Sequence, residues 1–148
     1  MKKPLAAVAA VILIAVAAIF IASLPAANIN ITQTDMDQAV TASGGVITRE
    51  VTISEGDTFA VSLYAHWSSG MRWSASSGDF HIVKQDNGRD FTNSFPLPIG
   101  VGGPGREKWT FKALEKGETT ITMTYRSVAQ LDPRPPVINT LELKVTVK

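Results

Sequence analysis

The sequence predicts an all-β chain: an immunoglobulin-like β-sandwich preceded by one N-terminal hydrophobic helix. Three observations carry this. Several segments after residue 45 alternate apolar and polar residues with a period of two, as half-buried antiparallel strands do. Beyond the N-terminal run, no window of a dozen residues shows the 3.6 period of an amphipathic helix. Gly, Pro and Asp punctuate the alternating segments, as turns do in a sandwich.

The N-terminal element comes first. Lys2 and Lys3 precede a charge-free run, and Leu5 to Leu24 is wholly non-polar apart from Ser23. Twenty helical residues span roughly 30 Å, the thickness of a bilayer's hydrocarbon core. Residues 1–27 are read as an anchor or a signal peptide, and both readings stay open. The length favours an uncleaved span. A cleaved signal peptide has a shorter apolar core and a small-x-small site, and Ser23–Ala27 has no clean one. Either way the two lysines hold the start of the chain in the cytoplasm. The expected location is the cell membrane, single-pass with the domain outside, or the secreted fraction after cleavage.

Residues 28–45 are polar and rich in small side chains. They are read as a tether, the alternative being an extra edge strand. Asn30-Ile31-Thr32 is a sequon-like triplet. Residues 46–148 form the sandwich domain. Val46–Ile53 is β-branched and ends at Gly56-Asp57. Phe59, Val61 and Leu63 alternate with polar or small neighbours. Trp73 opens a strand after Ser68-Ser69-Gly70. Trp109, Phe111 and Ala113 mark another, stopped by Lys116-Gly117. Ile121, Met123 and Tyr125 alternate with threonines, and Leu141, Leu143, Val145 and Val147 close the domain. Two connections are long, Gly88 to Gly105 and Arg126 to Asn139. Long Pro/Gly-rich loops on a rigid scaffold are where binding function concentrates.

Composition narrows the chemistry. The 148 residues contain no Cys and two His. Disulfide scaffolds, thiol nucleophiles and Cys-based metal sites are excluded. The part after Leu24 holds 12 Lys and Arg against 13 acids, a formal charge of −1. No basic stripe exists for phosphate neutralisation, so no nucleic-acid partner is expected. No cofactor or metal site is expected either.

Gly100-Val-Gly-Gly-Pro-Gly105 matches G-x-G-x-x-G literally, but a strand pattern follows it where a dinucleotide site needs a helix. His66, His81, Asp79, Asp86 and Asp90 lack the nucleophile context of a triad. The chain therefore does not read as an enzyme. Trp73 and Trp109 read as core. Trp67, beside His66 in a Ser/Gly turn, is harder to bury and reads as a binding anchor.

The order and spacing of these loops resemble the chagasin family of cysteine-protease inhibitors, from about Val46 to Lys148. That family has Asn-Pro-Thr-Thr-Gly-x-x-Trp in its first loop. Here Gly70 and Trp73 match, Ser68 and Ser69 stand for the threonines, and His66-Trp67 replace Asn-Pro. Gly100, Val101, Gly102 and Gly103 resemble its Gly-x-Gly-Gly loop. Gly117–Tyr125 resembles its Gly-x-x-x-Leu-x-Tyr strand. Its Arg-Pro-Trp is reduced to Arg126, followed by Ser127, Val128 and Ala129.

The resemblance implies a monomeric, immunoglobulin-like, reversible inhibitor of papain-like cysteine proteases. Three loops at one end of the sandwich would occlude the active-site cleft. His66–Gly70 would lie over the catalytic thiol, with Gly100–Gly103 and Arg126–Ala129 on the two cleft walls. The alternative is a cell-surface interaction module of the same fold without inhibitory activity, favoured by the altered third loop.

Overall fold

A computed structural model of the chain describes residues 25–86, 89–94, 103–129, 133 and 135–148. The apolar run Leu5–Leu24 lies outside them. Among the described residues no helix is long and apolar enough to cross a membrane.

In chain order the elements are β1 (Ala27–Ile31), α1 (Gln33–Ser43), β2 (Val46–Ile53), β3 (Thr58–Ala65), a 3-10 turn (Trp67–Ser69), β4 (Met71–Ser77), β5 (Val83–Gln85), β6 (Asp90–Asn93), β7 (Gly105–Ala113), β8 (Gly117–Ser127) and β9 (Asn139–Val147). They make two sheets. One has the order β1-β3-β7-β5, with β6 also paired to β7; the other has the order β2-β9-β8-β4. The alternation read from the sequence is what buries one face of each. On β7, Gly105, Glu107, Trp109, Phe111 and Ala113 point inward; on β9, Leu141, Leu143, Val145 and Val147 do. The apolar side chains among these join Phe59, Leu63, Ile121 and Met123 in one core between the sheets.

Two expectations need correction. The strands are not all antiparallel: β1 runs parallel to β3, and β2 parallel to β9. Parallel neighbours need a long connection between them. For β2 and β9 most of the domain supplies it. The segment 28–45 is no tether. Its first residues form the edge strand β1, and Ile31 is fully buried. The rest forms α1, which carries the chain from the edge of the first sheet to the edge of the second.

The helix starts at Thr32, whose hydroxyl accepts from the Asp35 N–H while the Asp35 carboxylate accepts from the Thr32 N–H, a reciprocal capping box. It ends at Gly44, whose φ of 64° suits a residue without Cβ. Only Met36 and Ala39 of α1 are buried, so no apolar stripe at helical spacing betrays it in the sequence. The buried Asn139 amide holds it down, donating to the carbonyls of Met36 (3.1 Å) and Gly45 (3.4 Å).

Strand register positions everything that follows. Ala65 pairs with Gly105, Met71 with Ser127, and Tyr125 with Asn139. One end of the sandwich therefore collects the end of β3, the starts of β4 and β7, and the end of β8. The chain enters at the opposite end, where the Ala26 N–H donates to Thr58 O at 2.7 Å.

Candidate functional site

The segment His66–Gly70 joins β3 to β4, crossing from one sheet to the other in five residues. A single 3-10 turn makes the crossing. The Ser69 N–H donates to His66 O and the Gly70 N–H to Trp67 O. Gly70 closes the turn at φ 72°, a left-handed conformation that other residues adopt at a cost. The Ser69 hydroxyl also donates to His66 O (2.8 Å), and the Ser68 hydroxyl lies 3.0 Å from His66 Nδ1. Ser68 and Ser69 are the exposed tip.

Behind the tip the turn is tied down from several sides. The His66 N–H donates to the Tyr125 hydroxyl at 3.0 Å. Burial disfavours the phenolate, so the Tyr125 pKa rises above its ordinary value even though the His66 hydrogen bond acts the other way. Trp67 is not a free anchor. Its ring is half-buried, stacked on Phe91 of β6 with centroids 4.3 Å apart and planes 14° from parallel. The Arg72 guanidinium covers the ring at 4.2 Å. Arg72 also donates to Trp67 O at 2.8 Å. Strand β6 lies inside the connection 88–105, whose Pro/Gly pattern predicts a single loop, so the sequence alone shows no partner for Trp67 there.

The residue that organises this end was not anticipated. Glu107 lies on the inward face of β7 and is fully buried. Its Oε1 accepts the Trp67 indole N–H at 2.7 Å and the Trp73 backbone N–H at 3.3 Å; its Oε2 accepts the Trp109 indole N–H at 3.3 Å. All three tryptophans of the chain converge on one carboxylate. A buried carboxylate is tolerable only when donors satisfy it. The signal was present in the sequence: Trp109, Phe111 and Ala113 set the inward phase of this strand, and two residues back in that phase stands Glu107. Trp73 and Trp109 are core, as expected, and the Trp73 indole donates to Tyr64 O at 2.8 Å.

Of the other two predicted segments, Arg126–Ala129 reaches the same end. Arg126 and Ser127 are not loop but the last residues of β8, paired with Arg72 and Met71. Val128 and Ala129 are exposed beyond them. The Val128 N–H donates to Gly70 O at 2.9 Å, so the first and third segments are joined by a main-chain hydrogen bond. Gly100, Val101 and Gly102 lie outside the described residues. Gly103 precedes Pro104, whose carbonyl accepts the Ser94 N–H at 3.1 Å. That contact brings together the two ends of the connection between β6 and β7, beside Ala65 through the Ala65–Gly105 pair. Among the described residues no three His, Asp or Glu side chains gather as a metal site.

Two solved structures share this fold. The cysteine protease inhibitor EhICP2 from Entamoeba histolytica aligns with a TM-score of 0.53 and 20% identity, over 84% of this chain and all of that one. Amebosin aligns with a TM-score of 0.51 and 20% identity, over 70% of this chain and 96% of that one. PbICP-C, solved in complex with falcipain-2, gives 0.44 and 17% over 70% and 88%. No curated protein sequence matches the chain. The sequence model described as Chagasin family peptidase inhibitor I42 matches residues 52–145, more than half of the chain. Its members are peptidase inhibitors rather than enzymes. That match across both sheets, on a sandwich whose β3–β4 turn, β8 end and the two ends of the β6–β7 connection lie at one end, places the chain in the chagasin family of peptidase inhibitors.

Proposed function

We propose that the chain inhibits papain-like cysteine proteases reversibly, by inserting one end of the sandwich into the active-site cleft. Family membership supports inhibition, and the observation that supports the mode is that the β3–β4 turn, the end of β8 and the two ends of the β6–β7 connection lie together at that end. The Ser68–Ser69 tip is the part that enters, over the catalytic thiol. Gly100–Gly103 and Arg126–Ala129 flank it on the two cleft walls. The tip is held before any partner arrives, so little ordering entropy is lost on binding. Trp67 serves as a brace rather than the aromatic contact its sequence position suggested.

The test is inhibition of papain by the full chain. Inhibition with a constant below micromolar supports the reading. No inhibition at micromolar concentration sinks it and leaves the second reading, an interaction module of the same fold. The observation favouring that second reading is the commitment of Trp67 to internal contacts, which leaves the tip without an exposed aromatic anchor. We also propose that the apolar run Leu5–Leu24 anchors the chain, with the domain outside the cell.

A further inference from the structure

We infer that Glu107 is a positioning residue for the inhibitory tip. It acts from inside the sandwich, without touching the protease, and the inference rests on the inhibitory reading above. One oxygen, Oε1, accepts from both Trp67 and Trp73. Trp67 opens the 3-10 turn that leaves one sheet, and Trp73 stands on β4, the strand it enters in the other. A single buried atom therefore closes the turn, and the geometry of the tip between them follows from where that atom sits. The second oxygen is held by Trp109 on the same strand. The carboxylate cannot rotate to follow Trp67 without releasing another donor.

The arrangement reaches beyond the first segment. Trp67 stacks on Phe91, which lies on the strand leading into the β6–β7 connection. Arg89 donates to Trp73 O at 2.9 Å and approaches the Trp67 ring at 5.6 Å. Gly70 O, at the far side of the turn, accepts from Val128. Displacing Trp67 from Glu107 thus loosens the first segment directly and its neighbours through Phe91 and Gly70. Rigid tips bind tightly because ordering is not left to the moment of association. Glu107 supplies that rigidity by charge-assisted hydrogen bonds in a site shut off from water.

Glu107→Gln tests this with little change of shape. The amide oxygen can serve Trp67 and Trp73, or Trp109, but its NH2 group cannot accept from the remaining donor. Papain inhibition by the full chain should weaken at least about 10-fold, as loss of a hydrogen bond to a charged group implies. The Trp67 indole proton resonance should shift, and amide exchange at residues 66–70 should quicken.

Two further proteins separate positioning from general destabilisation. Val145→Ala, a truncation far from the tip, should lower the melting temperature and leave the inhibition constant within about 2-fold, because additivity holds for distant sites. Trp67→Phe keeps the ring stack and removes the indole N–H, so it should weaken inhibition, and adding Glu107→Gln to it should weaken inhibition less than in the wild-type background. Full additivity, or equal inhibition by Glu107→Gln and wild type, overturns the inference. If the wild-type chain does not inhibit papain, the inhibitory reading is what fails. Exchange at 66–70 then decides alone: unchanged exchange in Glu107→Gln overturns the positioning role, and faster exchange upholds it.

Discussion

Gly70 turns the chain at the edge of the tip with a φ of 72°. A Cβ built there would meet nothing closer than the Ala129 Cβ at 3.5 Å, an ordinary contact. Space is therefore not the constraint, and backbone conformation is. Gly70→Ala should lose about 1 kcal/mol, the cost of a left-handed residue with a side chain. Gly70→Asn should lose less, because Asn enters that region more readily. Thermal melts of the three proteins check the order. An alanine variant as stable as wild type would show that the turn relaxes to another shape. The same scale shows how a residue's role can mislead from sequence. Trp67 looked exposed because its chain neighbours are Ser, Gly and His, yet Phe91, Arg72 and Glu107 reach it from three other segments.

The element with the clearest physical handle is α1. Asp35 holds its start through the Thr32 hydroxyl, the Thr32 N–H and an ion pair with Arg49 at 3.0 Å. The Thr32 hydroxyl first, then the Thr32 N–H and the Arg49 charge, lower the Asp35 pKa below its ordinary 3.8. A depressed carboxylate stabilises the fold above its unfolded pKa, and that contribution is lost as pH falls through the folded value. Stability at neutral pH should therefore include an Asp35 term that disappears in acid. Denaturation midpoints followed down through the carboxylate range should fall less steeply for Asp35→Asn than for wild type. Parallel curves would show that the capping box contributes nothing to acid sensitivity. This helix was also the element least legible in the sequence. It buries two side chains on a segment full of Thr, Asp, Gln and Ser, so neither composition nor periodicity marks it. Strand β6 escaped for a related reason: four residues, Asp-Phe-Thr-Asn, are too few to show a period.

For the whole molecule the decisive fact is polarity along the strands. The described chain enters at Ala26, beside Thr58, and the tip follows Ala65 at the far end of β3. Eight residues at about 3.3 Å each separate the ends by about 25 Å. If Leu5–Leu24 anchors the chain as proposed, the tip faces away from the bilayer, open to a soluble protease. On vesicles carrying the full chain, a donor dye at Ser68 should transfer energy to headgroup acceptors less efficiently than one at Glu115. Equal transfer would place the domain on its side and count against this orientation. The sequence by itself determined the mainly β class, most strand phases and the family, because alternation and turn residues are local properties of the chain. Tertiary structure alone decided that β1 and α1 belong to the domain and that β2 and β9 run parallel. It also decided that one carboxylate gathers all three tryptophans. Those outcomes depend on which distant segments meet, and strand register, which no local pattern encodes, sets those meetings.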